Sequence, residues 1–333
     1  MARFFGLILI LIVIGAGAFF AEKFSFLRPG PSTHETVVLI APREGSAGIA
    51  QELQRADVIR NGFLFRFGVR LRNRQSALKA GEYAIPAGAS MADIMGILVE
   101  GKSIQHKITA AEGLTSQMIY DIVVHDPVLV GDAGAVPSEG ALLPETYLFT
   151  RGATRAEILA RMEAAQKTFL ALHWPARAPD LPLKTKAQVI TLASIVEKET
   201  ALPEERRHIA AVFVNRLNLG MKLQSDPTII YGITKGYPLG RRIRESEITA
   251  NTPYNTYVIA GLPAGPICNP GKDSISAVLN PEQSKDLYFV ANGKGGHVFS
   301  ATMAQHEQNV AAWRKIHDTH PPPRDTPRLR KER

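Results

Sequence analysis

Residues 185–200 of the chain read Thr-Lys-Ala-Gln-Val-Ile-Thr-Leu-Ala-Ser-Ile-Val-Glu-Lys-Glu-Thr. Thr185 followed by Gln188 is the signature of a helix N-terminal capping box. Apolar residues then recur with helical spacing, so the segment predicts one amphipathic helix that ends near Thr200. The predicted apolar stripe consists of Val189, Leu192 and Val196, with Ile195 beside them. Continuing the same spacing leads to Glu199.

A carboxylate at the end of an apolar stripe lies at the edge of the core. Partial desolvation disfavours its charged form, so we expect the pKa of Glu199 to be raised. A glutamate that stays protonated near neutral pH can protonate a glycosidic oxygen. Glu197 is predicted to face another side of the helix, toward Ala193, and is the second candidate. Either carboxylate could instead be a solvated helix-end group paired with Lys198 or Arg206.

The composition indicates a globular protein with more than one domain. The chain has 333 residues, of which 45% are hydrophobic and 21% charged. The net charge of +8 suits anionic lipid, an acidic wall polymer or nucleic acid, although an ordinary solvated surface is an equal alternative. The single cysteine, Cys268, excludes an intramolecular disulfide and a cysteine-based zinc site. The histidine spacing matches no metal motif, so we expect neither a metal nor a cofactor.

The N-terminus carries an apolar run from Phe4 to Ala21 that is interrupted only by glycines. A run of this length is just sufficient to span a bilayer as a helix. A cleaved signal peptide is the alternative, because residues 16–18 have the small-residue pattern of a cleavage site. Since the apolar run continues beyond that pattern, we predict a retained anchor at 1–21. The rest of the chain is then expected on the periplasmic side of the cell inner (cytoplasmic) membrane.

The remainder of the chain is predicted to be a mixed α+β protein. Small units that combine a strand, a glycine turn and a helix with a hydroxyl cap recur at Ala41–Leu53, Ile85–Leu98 and Ile108–Val123. The predicted caps are Ser46, Ser90 and Thr115, and Ser90 with Asp93 resembles a capping box. Such units often bind a repeating ligand, but generic α+β packing is the alternative. The predicted parts are a tether at 22–35, a small α/β subdomain at 36–105, a linking α/β region at 106–183 with a helix at 154–174, a catalytic domain at 184–313 and a disordered basic tail at 314–333.

Several further elements follow from local signals. Thr154 and Glu157 predict a capped helix. Its expected apolar stripe is Ile158, Met162, Ala165, Phe169 and Leu172. The prolines at 175–182 should end this helix and mark a domain boundary. A second helix is expected from Pro203 to Gly220. Short strands are expected at Thr256–Ala260 and Leu287–Ala291.

The loop after Gly220 concentrates amide, hydroxyl and carboxylate groups, which suit the dense hydroxyls of a sugar. Its candidate substrate-binding residues are Gln224, Asp226 and Thr228. Asp226 could be a second carboxylate beside the scissile bond, as in most glycosidases, or a turn residue before proline.

Three later positions are further substrate-binding candidates. Tyr254, with its neighbour Tyr257, could stack on sugar faces, and Asn255 could hydrogen-bond an acetamido group. A structural turn is the alternative for this cluster. His297 could orient substrate, although a lone loop histidine is often incidental. The glycine-rich loop before it lacks the spacing of a phosphate-binding loop.

These motifs, in this order, resemble the MltG-type (YceG-like) family of endolytic murein transglycosylases. The resemblance extends from the N-terminal apolar run to about Trp313. It is carried by the segments 193–200, 212–217, 220–231, 254–257, 261–263, 269–271 and 288–299. The units before residue 105 resemble the family's LysM-like subdomain. Ala264 departs from the family pattern, in which a second proline often follows Gly-Leu-Pro, and so does the Arg-rich tail.

The resemblance implies a lyase that acts on a polysaccharide. Such enzymes cut the MurNAc–GlcNAc bond within a peptidoglycan strand, leave a 1,6-anhydro-MurNAc end and terminate nascent strands near peptidoglycan synthases. The family's catalytic acid aligns with Glu199, and Glu197 remains the alternative. A hydrolytic muramidase that uses Asp226 to position water, and a catalytically inactive glycan-binding scaffold of the synthesis machinery, are the competing hypotheses.

Overall fold

The computed structural model describes residues 24–319, so the predicted anchor at 1–21 lies outside the described residues. Over the described range the fold is mixed α+β, as predicted, and no helix there is both long and apolar enough to cross a membrane. The chain forms two compact units. Unit one ends at Lys107 and also includes Leu148–Ala153, whereas unit two comprises Ile108–Tyr147 and the chain from Thr154 onward. The proline segment at 175–182 lies inside unit two.

Over its described residues, unit one contains a short helical turn at 24–27, a two-stranded antiparallel sheet and three longer helices. Its elements are β1 (Thr36–Ile40), α1 (Ser46–Arg55), α2 (Gly62–Leu71), β2 (Gly81–Ile85) and α3 (Met91–Glu100). In β1, buried Val38 and Ile40 alternate with exposed Val37 and Leu39, so one face of the sheet covers the core and the other faces solvent. No motif or periodicity in the sequence predicted α2.

Side-chain caps begin several helices where the sequence predicts them. Ser90 and Asp93 form a reciprocal capping box at α3. Thr115 caps α4 (Ser116–His125). The first predicted unit differs, because Gly45 precedes α1 and provides no side-chain cap.

Two strands, β3 (His106–Thr109) and β4 (Thr146–Phe149), pair before α5 (Arg155–His173). Thr154 and Glu157 form the expected capping box at the start of α5. The predicted stripe is wrong at its end, because Leu172 is 72% exposed. The buried face lies further round the helix, toward Leu159, Gln166 and Leu170.

Unit two is organised around α6 (Lys186–Glu199). This helix packs against α7 (Arg206–Asn218), α8 (Asp226–Thr234) and α10 (Lys272–Leu279). Every residue from Val189 to Val196 is buried, so α6 is enclosed on all sides. This corrects the expectation of an amphipathic helix with a single apolar stripe.

The remaining elements of unit two are α9 (Glu245–Ile248), β5 (Tyr288–Ala291), β6 (His297–Ser300) and α11 (Met303–Thr319). β5 pairs antiparallel with β6. The strand predicted at Thr256–Ala260 is instead a series of turns. α11 continues through the start of the predicted tail, and residues 320–333 lie outside the described range.

Candidate active site

The C-terminal end of α6 presents a partly buried carboxyl group. Glu199 is the last residue of α6, and Thr200 after it is extended, so the Glu199 side chain leaves the core at the final helical turn. Burial, helped by the negative charge of Asp226, raises the pKa of this carboxyl to a net value of about 6. The hydrogen bond from Ser225 and the positive charges of His297 and Arg216 act in the opposite direction. Glu199 therefore keeps a protonated fraction near neutral pH that an ordinary glutamate lacks.

Ser225 holds one oxygen of this carboxyl group. Its hydroxyl donates a hydrogen bond to Glu199 Oε1 at 2.5 Å. Ser225 is itself fixed, because its N–H donates to Thr256 Oγ1 at 2.9 Å and its carbonyl accepts from Thr228 Oγ1 at 2.7 Å. The second Glu199 oxygen is the one that remains for proton transfer. Ser225 lies in the predicted sugar-binding loop, but its residue type alone did not single it out.

Two residues predicted to contact substrate are instead buried framework groups. Thr228 is 0% exposed, and its hydroxyl bonds to Ser225 and Thr256. Asn255 is 1% exposed, and its amide nitrogen donates to the carbonyls of residues 247, 248 and 250 at 2.7–3.1 Å. Because these polar groups already bond within the protein, Thr228 and Asn255 do not fit the predicted contact with substrate. The sequence around each residue gives no sign that its side chain is buried.

Asp226 and Gln224 do lie at the surface beside Glu199. Both are exposed, and Gln224 adopts the left-handed backbone conformation with φ 54°. Tyr257 donates a hydrogen bond to Asp226 Oδ1 at 2.7 Å. Burial, followed by this carboxylate, raises the pKa of Tyr257. The Tyr257 hydroxyl therefore stays protonated and holds Asp226 in one orientation.

His297 is oriented by a carboxylate that the sequence analysis missed. Glu205 Oε1 accepts the His297 backbone N–H at 2.7 Å, and Glu205 Oε2 lies 2.7 Å from His297 Nδ1. Burial alone would raise the pKa of Glu205, but the hydrogen bonds from His297 outweigh it and hold that pKa below its ordinary value. The Glu205 carboxylate accepts a hydrogen bond from His297 Nδ1 and thereby fixes the orientation of the ring. No sequence signal connects Glu205 to His297, since β6 brings them together only in the fold.

Arg216 connects the elements around the site. It is 7% exposed, and its Nε donates to the Leu287 carbonyl at 2.6 Å. Its Nη1 donates to the carbonyls of Leu223 at 2.8 Å and Lys222 at 3.3 Å. These bonds tie α7 to the loop before α8 and to the strand that leads to His297. Arg216 was not predicted, because an arginine in a helix is usually solvated.

Glu197 is buried as well, but it is bound on both sides. Its side chain is 6% exposed, Oε2 accepts from the Gly271 N–H at 2.9 Å, and Oε1 lies 3.9 Å from Arg206 Nη2. Arg206 also approaches Glu112 at 3.6 Å and Asp273 at 3.3 Å. The predicted separation of the two glutamates by burial is therefore wrong, because α6 is enclosed on all sides. Their partners distinguish them: Glu197 secures the start of α10, whereas Glu199 faces the polar loop.

Tyr254 packs into the core of unit two. Its ring lies 4.9 Å from the ring of Tyr231, and the residue is only partly exposed. The structure thus brings Glu199, Asp226, Gln224 and His297 into one region, and the role of Tyr254 at a sugar face stays a prediction. Within residues 24–319, no group of three or more His, Cys, Asp or Glu side chains has a geometry that could hold a metal ion.

Comparison with known proteins relates the whole chain to one family. A model of the YceG-like family matches residues 38–312. A Streptococcus pneumoniae protein named endolytic murein transglycosylase is 30% identical over 354 residues, which cover 90% of this chain and 63% of that protein. A Bacillus subtilis protein of the same name is 29% identical over 333 residues, which cover 89% of this chain and 90% of that protein.

The chain thus spans 63% of the length of the pneumococcal relatives. A crystal structure of a yceG-like protein from Listeria monocytogenes matches with a TM-score of 0.53 and 30% identity, and covers 83% of this chain and 99% of that one. Since the family model spans most of the sequence, as the motifs predicted, the chain belongs to the YceG-like family.

Proposed function

We propose that the protein is an endolytic lytic transglycosylase. It cleaves the MurNAc–GlcNAc bond of nascent peptidoglycan strands, leaves 1,6-anhydro-MurNAc ends and thereby terminates glycan elongation. The observation that carries the proposal is the Glu199 carboxyl, whose pKa burial raises to about 6 and which Ser225 orients toward an exposed polar loop. The names of the pneumococcal and Bacillus relatives support the same reaction.

The reaction needs one acid that becomes a base. Protonated Glu199 donates its proton to the glycosidic oxygen while the bond from MurNAc C1 to that oxygen breaks. The C6 hydroxyl oxygen of the same MurNAc then bonds to C1, and the Glu199 carboxylate takes the hydroxyl proton. The carboxyl group is regenerated and no water is consumed. The Ser225 hydrogen bond contributes by stabilising the carboxylate that forms after the first transfer.

Two competing functions have their own supporting observations. A hydrolytic muramidase would use Asp226 to position water, and the Tyr257 hydrogen bond to Asp226 gives that carboxylate a fixed orientation. An inactive glycan-binding scaffold would rely on unit one, which has its own buried core. Glu199 argues against the scaffold, because a binding protein has no need of a carboxyl with a raised pKa.

The decisive experiment digests purified sacculi in water enriched in heavy oxygen and analyses the products by mass spectrometry. The proposed reaction gives anhydro ends without incorporated label. Labelled reducing ends would instead establish hydrolysis. Release that continues at the wild-type rate in Glu199→Gln would exclude Glu199 as the acid, and binding without any release by the wild-type chain would favour the scaffold.

The location and partners belong to the same proposal. The apolar run from Phe4 to Ala21 supports a single-pass anchor in the cell inner membrane with the catalytic unit on the periplasmic side. Unit one supports a LysM-like role in holding glycan, since its strands and helices form a small separate core. Peptidoglycan synthases are the proposed protein partners, because nascent strands are found where they work. Fractionation without detergent tests the anchor: intact chain in the soluble periplasmic fraction would contradict it.

A further inference from the structure

One helix of unit one exposes an aromatic face to solvent. On α2, Phe63, Phe67 and Leu71 are 72%, 42% and 46% exposed. Their spacing of four residues places them on one side of the helix. The rings of Phe63 and Phe67 lie nearly parallel, with centroids 6.4 Å apart. Phe65 and Val69 on the opposite side are 0% exposed, so the core is already complete without the outer residues.

The same face is basic. Arg66 and Arg70 lie between the apolar residues, Arg74 follows the helix, and all three are exposed. α2 itself contains no acidic residue. The outer side chains border an open groove of about 330 Å³, which is lined by Ser46, Phe63, Arg66, Phe67, Arg70 and Gln75. Apolar rings alternating with arginines on one face are typical of a helix that lies in the headgroup region of an anionic membrane.

The path of the chain brings the N-terminal segment to the buried side of α2. Phe26 is 1% exposed and packs on α2, with its ring 6.3 Å from that of Phe65. The apolar run ends at Ala21. Three residues of chain reach at most about 10 Å, so Phe24 stays within that distance of the end of the run. Phe24 and Leu27 are themselves 72% and 55% exposed. α2 therefore lies beside the point where the chain would leave the bilayer.

We propose that the exposed face of α2 rests on the anionic lipid surface next to the anchor. The inference rests on the proposed membrane location. Phe63 and Phe67 enter the boundary between headgroups and acyl chains, while Arg66 and Arg70 bind lipid phosphates. Lipid is favoured over glycan as the occupant because it matches both features of the face: its phosphates complement the arginines, and its acyl chains accommodate the exposed rings and Leu71.

The test uses the full chain in liposomes with a fluorophore at a single introduced cysteine. Phe67→Cys reports on the α2 face. Val37→Cys is the matched control, because Val37 is 54% exposed on the outer face of β1, away from the helices. The native Cys268 is 0% exposed, so the unsubstituted chain measures background labelling. With anionic lipids that carry brominated acyl chains, we expect the probe at 67 to be quenched at least about threefold more than the probe at 37. Arg66→Glu combined with Arg70→Glu should remove most of that difference.

Each outcome is decisive. A chain that floats with the vesicles but shows equal quenching at both positions overturns this inference alone. A chain that does not float overturns the anchor and the inference together. A shift in the emission at 67 that soluble glycan strands produce, and lipid does not, identifies a glycan surface and also overturns the inference. Product analysis on sacculi tests the enzymatic proposal separately.

Discussion

Ser225 Oγ lies 2.5 Å from Glu199 Oε1 and thereby joins the last residue of α6 to the residue that precedes α8. The Ser225 backbone is itself fixed, because its N–H donates to Thr256 Oγ1 and its carbonyl accepts from Thr228 Oγ1. A carboxyl that is partly buried, hydrogen-bonded by Ser225 and adjacent to an exposed loop is suited to repeated proton transfer. Glu197, two residues earlier, is held by Gly271 and Arg206 and is suited to structure.

This contrast predicts opposite effects for two substitutions. Glu199→Gln should reduce kcat about 10²–10⁴-fold, because the amide cannot donate the proton. Glu197→Gln should leave kcat within about tenfold and lower the free energy of unfolding by about 1–3 kcal/mol, because a buried charged hydrogen-bond acceptor is lost. Release of anhydro-muropeptides and urea unfolding measure the two effects. The reverse pattern, with an inactive Glu197→Gln and an active Glu199→Gln, would assign the acid to Glu197.

Ser225→Ala should move the basic limb of the kcat/KM profile to higher pH. The Ser225 hydrogen bond favours the ionised form and lowers the pKa of Glu199, so its loss raises that pKa. Because the protonated form is the active acid, activity then persists to higher pH, even if its maximum falls. Ser246→Ala, at an exposed serine in α9, is the control. An unchanged limb would show that this hydrogen bond does not tune the acid.

Asp226→Asn should move the same limb in the opposite direction. The negative charge of Asp226 raises the pKa of Glu199, so its removal lowers that pKa and activity declines at lower pH. Products should still carry anhydro ends. Tyr257→Phe is the companion variant, since it removes the Asp226 partner and retains the charge. A complete loss of activity in Asp226→Asn, with folding preserved, would instead support the hydrolytic alternative.

The elements that sequence predicts well here are those with local signals. The capping residues Thr185, Thr154 and Ser90 begin helices where expected, because a cap involves only neighbours along the chain. Glu199 was predicted to be the acid from helical periodicity and family resemblance, and that role stays a prediction. The burial of Glu197 could not be read from the pattern, since it depends on helices that arrive from later in the chain.

The same limit applies to the contacts around the acid. Glu205 and His297 are 92 positions apart, and no periodicity connects them. For Asn255 the error is a substrate contact that was predicted from residue type alone. Its residue type suits a sugar, but the fold uses its amide to bind three carbonyls of the preceding turn.

Glu205→Gln should lower kcat by up to about 100-fold by releasing the His297 ring from its fixed orientation. The variant keeps the volume of the side chain but removes the charge that holds the proton on His297 Nδ1. Nitrogen NMR of the histidine ring reports the tautomer directly. Glu204→Gln, at the exposed neighbouring position, is the control. A normal rate with a changed tautomer would show that the orientation of His297 is not needed for the reaction.

Glu199 should also limit stability in a pH-dependent way. Its pKa is raised from 4.5 in the unfolded reference to about 6 in the fold, so the folded state binds the proton more tightly. Below pH 4.5 the carboxyl is protonated in both the folded and the unfolded state, so it does not change the free energy of unfolding. As pH rises through 6, the fold must hold a carboxylate that burial disfavours, at a cost of about 2 kcal/mol. Glu199→Gln mimics the protonated form, so it should raise the free energy of unfolding by about this amount at pH 7.5 and leave it unchanged at pH 4. Urea unfolding at both pH values measures the difference, and equal stability of the two proteins at pH 7.5 would contradict the raised pKa on which the proposed acid depends.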